Sequence, residues 1–268
     1  MCGIAGFKTD GNFNPLRESL PEATSSLTHR GPNDSGLFFD AKHGLGLGHR
    51  RLSVIDLSEA GRQPMGSEDG RIRIVYNGEV YNFKEIRKTL KGLGHAFRTE
   101  TDTEVILNAY RQWGIDCLKR FTGMFALGLW DETKETLFLA RDRLGIKPLF
   151  YYYASGTLFF ASELKALMRL STFPKDLDYD AVPLFLHYQY IPAPRTVFNN
   201  TFKLLPGHFA RFRKGSLAVK PYWTLPDPQG RVPVPVQREE DALEELDRLL
   251  TNSVSDRLIS DVPLGGLL

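Results

Sequence analysis

Apolar and polar positions along the chain switch between a helical period and a strand period. Leu16, Leu20, Ala23 and Leu27 share one helical face, and Gly31-Pro32 stops that helix. Ile72, Ile74 and Tyr76 alternate with Arg71, Arg73 and Val75, which predicts a strand ending at Asn77-Gly78. Asn82, with Glu85 three residues later, marks a helix start whose buried face carries Ile86 and Leu90. A further helix begins near Thr101-Asp102 and carries Val105, Ile106, Ala109 and Trp113 up to Gly114. Four short apolar runs follow, at 124–130, 136–140, 149–153 and 158–161. Their aromatic content and spacing predict consecutive antiparallel strands. Sheets with segregated helices make an α+β layered domain.

The pattern changes after about residue 190. Eight of the 16 prolines lie between Pro192 and Pro235, which predicts irregular or linker-like chain. An amphipathic helix is expected over 239–259, with Leu243, Leu246, Leu250, Val254 and Leu258 on one side. Glu239, Glu240 and Asp241 suit its N-terminus. The expected division is therefore a first domain over 2–210, a Pro-rich linker over 211–238, and the first helix and strand of a second α/β domain over 239–268. The last nine residues, apolar and carrying Gly265-Gly266, read as a strand cut short.

Composition narrows the class. The 268 residues are 42% hydrophobic and 25% charged, enough for a sizeable core and a polar surface. No apolar run approaches the ~18 residues of a membrane span, and the N-terminus lacks the features of a secretory signal. A net charge of +2 is too balanced to point to nucleic acid. The six histidines show no metal-ligand spacing, so no metal is expected. Cys2 and Cys117 make no disulfide framework, and Cys117 reads as an inert core thiol. A cytoplasmic globular protein is expected.

Cys2 carries the chemistry. Once Met1 is removed, this residue owns both a thiol, of pKa ~8.5, and an α-amine, of pKa ~8. The amine can take the thiol proton, so one residue supplies nucleophile and base. Taken alone, a cysteine at position two is better explained by chance.

Its setting resembles a known family. Cys2-Gly3-Ile4-Ala5-Gly6 is similar to the opening of the class II, N-terminal-nucleophile glutamine amidotransferases. His29-Arg30-Gly31-Pro32, Arg51-Leu52-Ser53-Val54-Ile55-Asp56 and Tyr76-Asn77-Gly78-Glu79 continue the likeness. So do Thr101-Asp102-Thr103-Glu104, Arg141-Asp142-Arg143-Leu144-Gly145-Ile146-Lys147-Pro148, Ala161-Ser162-Glu163-Leu164-Lys165 and Asp261-Val262-Pro263-Leu264-Gly265. In this order they resemble the glutamine-hydrolysing asparagine synthetases. The resemblance implies a four-layered αββα Ntn-hydrolase-type sandwich followed by the start of an ATP-dependent synthetase domain.

Free glutamine needs a cation for its carboxylate, an anion for its ammonium and donors for an oxyanion. The resemblance gives these roles to Arg51, to Asp102 with Glu79 bordering, and to Asn77 with Gly78, while Leu52, Val54 and Ile55 line the pocket. Without it, Arg51 is equally a surface arginine, Asp102 a helix cap and Asn77-Gly78 a hairpin turn. Arg30, Gly31 and Pro32 are expected to shape a loop near the thiol, with Asn33 where the family usually has Asp. Arg141, Asp142 and Lys147 are expected at an interdomain interface or in buried ion pairs. Leu268 falls at the adenine edge of the family's ATP site. The implied reaction is hydrolysis of glutamine to supply ammonia for amidation of aspartate. The glutaminase half needs no cofactor, whereas ATP and magnesium belong to the synthetase half. Glutamine is then the small-molecule partner, with aspartate and ATP in the longer protein, and a homodimer is admissible. Three alternatives stand beside it: a homologue amidating another carboxylate, another class II amidotransferase, or a non-catalytic binding module of the same fold.

Overall fold

The computed structural model describes residues 1–225 and 238–266. Strand alternation builds its layers. In β1 (Gly3–Thr9), Ile4 points into one core while Ala5 and Phe7 point into another. β9 (Thr157–Ala161) divides the same way, with Leu158 and Phe160 on one face and Phe159 and Ala161 on the other. These strands join β2 (Asp34–Asp40), β3 (Leu45–Arg51), β8 (Phe150–Ala154) and β10 (Thr201–Lys203) in an antiparallel sheet of order β10-β8-β9-β1-β3-β2. A second sheet holds β4 (Met65–Gly66), β5 (Ile72–Val80), β6 (Gly123–Asp131), β7 (Thr136–Arg141), β11 (His208–Arg213) and β12 (Ser216–Pro221). Its order is β12-β11-β7-β6-β5-β4.

The sheets stack face to face around Ile4, Val75, Trp130, Leu139, Phe160 and Phe212. Each outer face is covered by helices. Leu16, Leu20 and Ala23 of α1 (Asn14–Ser25) lie on the first sheet with α4 (Leu164–Leu167). α2 (Phe83–Gly92) and α3 (Asp102–Trp113) cover the second with Ile86, Leu90, Val105 and Ile106. The result is a four-layered αββα sandwich, the expected class, because both faces of every central strand are apolar. Cys117 is buried beside α3, and burial pushes its thiol up to about 12, as an inert core thiol requires.

His49 ties the two sheets together. Its fully buried ring donates from Nε2 to the Tyr76 carbonyl at 3.0 Å, linking β3 to β5. Burial lowers its pKa from 6.5 to about 4, so the folded state refuses a proton that the unfolded chain accepts. Stability is expected to fall as pH drops from about 6.5 towards 4, by up to ~3 kcal/mol from this group. Denaturant midpoints near pH ~7.5 and ~4.5 check this, and H49Q should show a shallower loss.

Several local expectations need correction. Asn77-Gly78 neither ends a strand nor turns a hairpin: β5 runs through to Val80, with Gly78 opposite Phe125 of β6. Asn82 precedes α2, yet its side chain does not cap it. It instead donates to the Arg120 carbonyl and accepts from Thr122 N–H, each at 2.9 Å. The four apolar runs are β6 to β9, but β7 and β8 lie in different sheets. The boundary expected after residue 210 falls inside β11, and β12 pairs with it over 216–221. Ala210 and Phe212 of β11 face the inter-sheet core, a period-two signal that the neighbouring prolines obscured. The rest of the expected linker, 226–237, and Leu268 lie outside the described residues. After α5 (Ala181–Tyr188), the helix expected over 239–259 is α6 (Glu239–Ser255), followed by a short 3₁₀ turn over Asp256–Leu258. Its apolar side, including Leu243, Leu246, Leu250 and Val254, is exposed.

Candidate active site

β1 starts at one end of the sandwich and presents Cys2 there. Three contacts hold it. The Ile4 N–H and carbonyl pair with the Ser162 hydroxyl and N–H, at 3.0 and 2.9 Å. Arg30 Nε donates to the Cys2 carbonyl at 3.0 Å, and its Nη1 reaches Glu163 at 2.9 Å. Cys2 Sγ lies 3.4 Å from the Leu52 N–H and 3.7 Å from its carbonyl. Burial raises the thiol pKa and lowers that of the Met1 amine.

The thiol opens into a cavity of about 160 Å³. Of the residues expected at a site, Cys2, Arg51, Leu52, Val54, Ile55, Asn77, Gly78, Glu79 and Asp102 all line this one cavity. Leu268 is the exception, being outside the described residues.

The free edge of β5 forms one wall. Tyr76 N–H donates to Gln63 Oε1 at 2.7 Å and Val80 N–H to Asp102 Oδ2 at 3.0 Å. Both N–H groups therefore point away from β6. Period two places the Gly78 N–H on the same edge between them. The Asn77 side chain is 1% exposed, and neither its Nδ2 nor its Oδ1 has a partner among the described residues. A buried, unpaired amide is costly, and here it borders a cavity next to a thiol. No other side chain fits at position 78, because a Cβ there would overlap the Met124 carbonyl.

Charged groups frame the opposite walls. Arg51 is 6% exposed, and its guanidinium donates to the carbonyls of Ser58, Ile55 and Asp56. Three of its five N–H groups thus brace the 52–58 loop, leaving two for a ligand carboxylate. Asp102 is buried at the start of α3, where Tyr76 Oη donates to it at 2.7 Å. Thr101, not Asp102, caps α3, with its hydroxyl accepting from Glu104 N–H at 3.2 Å. The Asp102 carboxylate is thereby free of the capping role, and burial raises its pKa. Glu79 is raised from 4.5 to about 7, first by burial and then by the Asp102 charge.

Glu79 gives the site a pH dependence. Where Glu79 borders a substrate ammonium, as the resemblance implies, it is neutral below about 7 and balances that charge above it. The KM for an ammonium-bearing substrate is therefore expected to fall as pH rises from ~6 to ~8, and E79Q should flatten the profile. A flat wild-type profile would remove Glu79 from the ammonium subsite.

Lys147, expected at an interdomain interface or in a buried ion pair, stands in the cavity wall. It is buried, with its pKa lowered by burial and by Arg30. Its loop is built around Asp142, which accepts from the N–H groups of Phe125, Leu144, Ile146 and Lys147 at 2.9–3.1 Å. Arg141 donates to the Gly145, Lys147 and Leu204 carbonyls. Neither makes an ion pair among the described residues, contrary to one expectation. Tyr76 and Met124, which the sequence offers only as strand residues, also line the cavity, as does Gln63, which carries no sequence signal of its own. Asn33 keeps its loop in place: its Oδ1 accepts from Ser53 N–H at 3.0 Å, as an aspartate oxygen would.

The family described as the glutamine amidotransferase domain matches residues 1–223, ending just beyond β12. The chain belongs to this family. This amidotransferase domain is 36% identical to asparagine synthetase [glutamine-hydrolyzing] 1 of Bacillus subtilis strain 168. The match covers 100% of this chain and 42% of that protein. A Methanocaldococcus jannaschii relative is 38% identical, over 100% of this chain and 54% of its own length. The chain thus spans about half the length of the curated relatives it matches. Its fold is shared with the glutamine phosphoribosylpyrophosphate (PRPP) amidotransferase of B. subtilis. There the TM-score is 0.62 at 18% identity, covering 84% of this chain and 50% of that one. The αββα sandwich is therefore a fold that the PRPP amidotransferase also has. No helix among the described residues is long and apolar enough to cross a membrane.

Proposed function

We propose that this domain hydrolyses glutamine to glutamate and ammonia, with Cys2 as nucleophile after removal of Met1. The observation that carries the reading is the unpartnered, buried Asn77 amide beside the Gly78 N–H on the free edge of β5, in one cavity with the thiol. Those two donors fit the oxyanion of a tetrahedral intermediate. Arg51 takes the substrate carboxylate, and Asp102 with Glu79 takes the ammonium.

The new α-amine accepts the thiol proton, and Sγ attacks the side-chain amide carbon. The carbonyl oxygen becomes an oxyanion held by Asn77 and Gly78. Collapse breaks the C–N bond, the ammonium returns its proton to the departing nitrogen, and ammonia leaves a thioester on Cys2. Water, deprotonated by the amine, attacks that thioester. Glutamate departs and the proton returns to Sγ. Equal release of glutamate and ammonia from glutamine, by a homogeneous chain starting at Cys2, tests the reading. No release above background would overturn it.

The ammonia is proposed to serve ATP-dependent amidation, with aspartate as acceptor and ATP with magnesium bound outside this domain. Similarity to two asparagine synthetases of B. subtilis supports that acceptor. Asparagine formed from glutamine, aspartate and ATP by a chain of the relatives' length is the corresponding measurement.

A further inference from the structure

The 52–58 loop forms one wall of the cavity and encloses the Arg51 guanidinium, yet it has no regular structure of its own. Its backbone groups must therefore find partners elsewhere. Arg51 supplies some, Cys2 Sγ and Asn33 supply others. The tip is held from a distant part of the chain. Asp261 N–H donates to the Val54 carbonyl at 2.9 Å, and Asp261 Oδ2 accepts from the Asp56 N–H at 2.7 Å.

Asp56 is an unusual anchor point. Its φ of +54° lies in the left-handed region that a non-glycine residue enters at a cost. All four of its polar groups are engaged. The N–H meets Asp261, the carbonyl meets Arg51, Oδ1 meets Ser58, and Oδ2 accepts from Glu100 N–H at 3.0 Å, two residues before Asp102. One residue thus links the braces of the proposed carboxylate and ammonium subsites. The segment that grips it is itself docked. Ile259 packs against the α2–α3 core, and the Arg257 guanidinium lies 4.7 Å from the Tyr81 ring centroid. α6, immediately before, has no buried residue. The chain after α6 returns to the body at the pocket wall.

We infer that Asp261 is a positioning residue for glutamine: its carboxylate pins Asp56 and so holds the 52–58 loop and Arg51 in the binding-competent arrangement. It touches no substrate and no reacting atom. The inference rests on the glutaminase reading above, since KM for glutamine is its main readout. D261A removes the acceptor while leaving the backbone bond to Val54, so KM should rise roughly tenfold with kcat within about twofold. D261N keeps an acceptor oxygen and should restore KM to within about threefold of wild type. A second measurement does not depend on activity: exchange of the Asp56 amide hydrogen should be faster in D261A than in wild type and slowed again in D261N.

The two readings fail differently. A wild-type chain that releases no ammonia sinks the glutaminase reading, and the exchange rates alone then decide the pinning. An active D261A with unchanged KM, or with kcat falling and KM unchanged, overturns the positioning role. So does a D261N no better than D261A, or an Asp56 amide that exchanges equally fast in all three.

Discussion

Replacing Cys2 with alanine is expected to lower glutamine hydrolysis by roughly 10⁴-fold or more, the scale seen when a nucleophile is deleted, while glutamine binding stays within a few-fold. The two effects separate because the groups that grip the ends of the substrate sit on other elements. Arg51 ends β3, Glu79 lies on β5 and Asp102 opens α3, whereas Cys2 Sγ meets only the Leu52 backbone. Retaining Met1 should be nearly as damaging. The Cys2 nitrogen is then a peptide amide with no basicity, and Met1 joins the cavity lining. Calorimetric titration with glutamine, beside ammonia release from samples of known intact mass, checks both. Full turnover by a homogeneous Met1-bearing sample would contradict the amine as base, and loss of binding in C2A would show the thiol to be part of the substrate clamp.

Much of the site was legible because its residues sit in short ordered motifs, and the cavity gathers nine of the expected positions from Cys2 to Asp102. The layers were legible for a related reason. Ile72, Ile74 and Tyr76 alternate, and Leu16, Leu20 and Ala23 repeat at helical spacing, so each face declares its core. What escaped depended on long-range pairing. Asn77-Gly78 has the composition of a turn, and only its register with β6 shows it to be continuous strand. Lys147 sits in a motif dense with charge, and nothing local tells an ion-paired lysine from one carried into the cavity by a loop built around Asp142. β11 and β12 were lost among prolines, although Ala210 and Phe212 alternate with Arg211 and Arg213 in a strand pattern. The grip of Asp261 on Asp56 spans 205 residues, a separation at which no periodicity speaks.

Asn77→Ala is expected to reduce kcat by roughly 10²–10³-fold, the usual cost of losing one oxyanion donor, with KM nearly unchanged. The ground-state amide oxygen of glutamine is a weaker acceptor than the oxyanion it becomes, so the donor contributes most where charge develops. The structure favours this division of effects. In the described residues, the Asn77 amide has no partner that its loss would orphan. The substitution should therefore leave the fold intact and even relieve the burial of an unpaired polar group. N77A is accordingly predicted to be no less stable than wild type in denaturant while being far slower. Gly78 remains as the second donor, held on the β5 edge between the N–H groups that Gln63 and Asp102 engage, so residual turnover should persist. N77D is the sharper test: it matches the shape but replaces the donor with an acceptor, and it should fall below N77A. A raised KM with unchanged kcat in N77A would move Asn77 out of the oxyanion site and into ground-state binding.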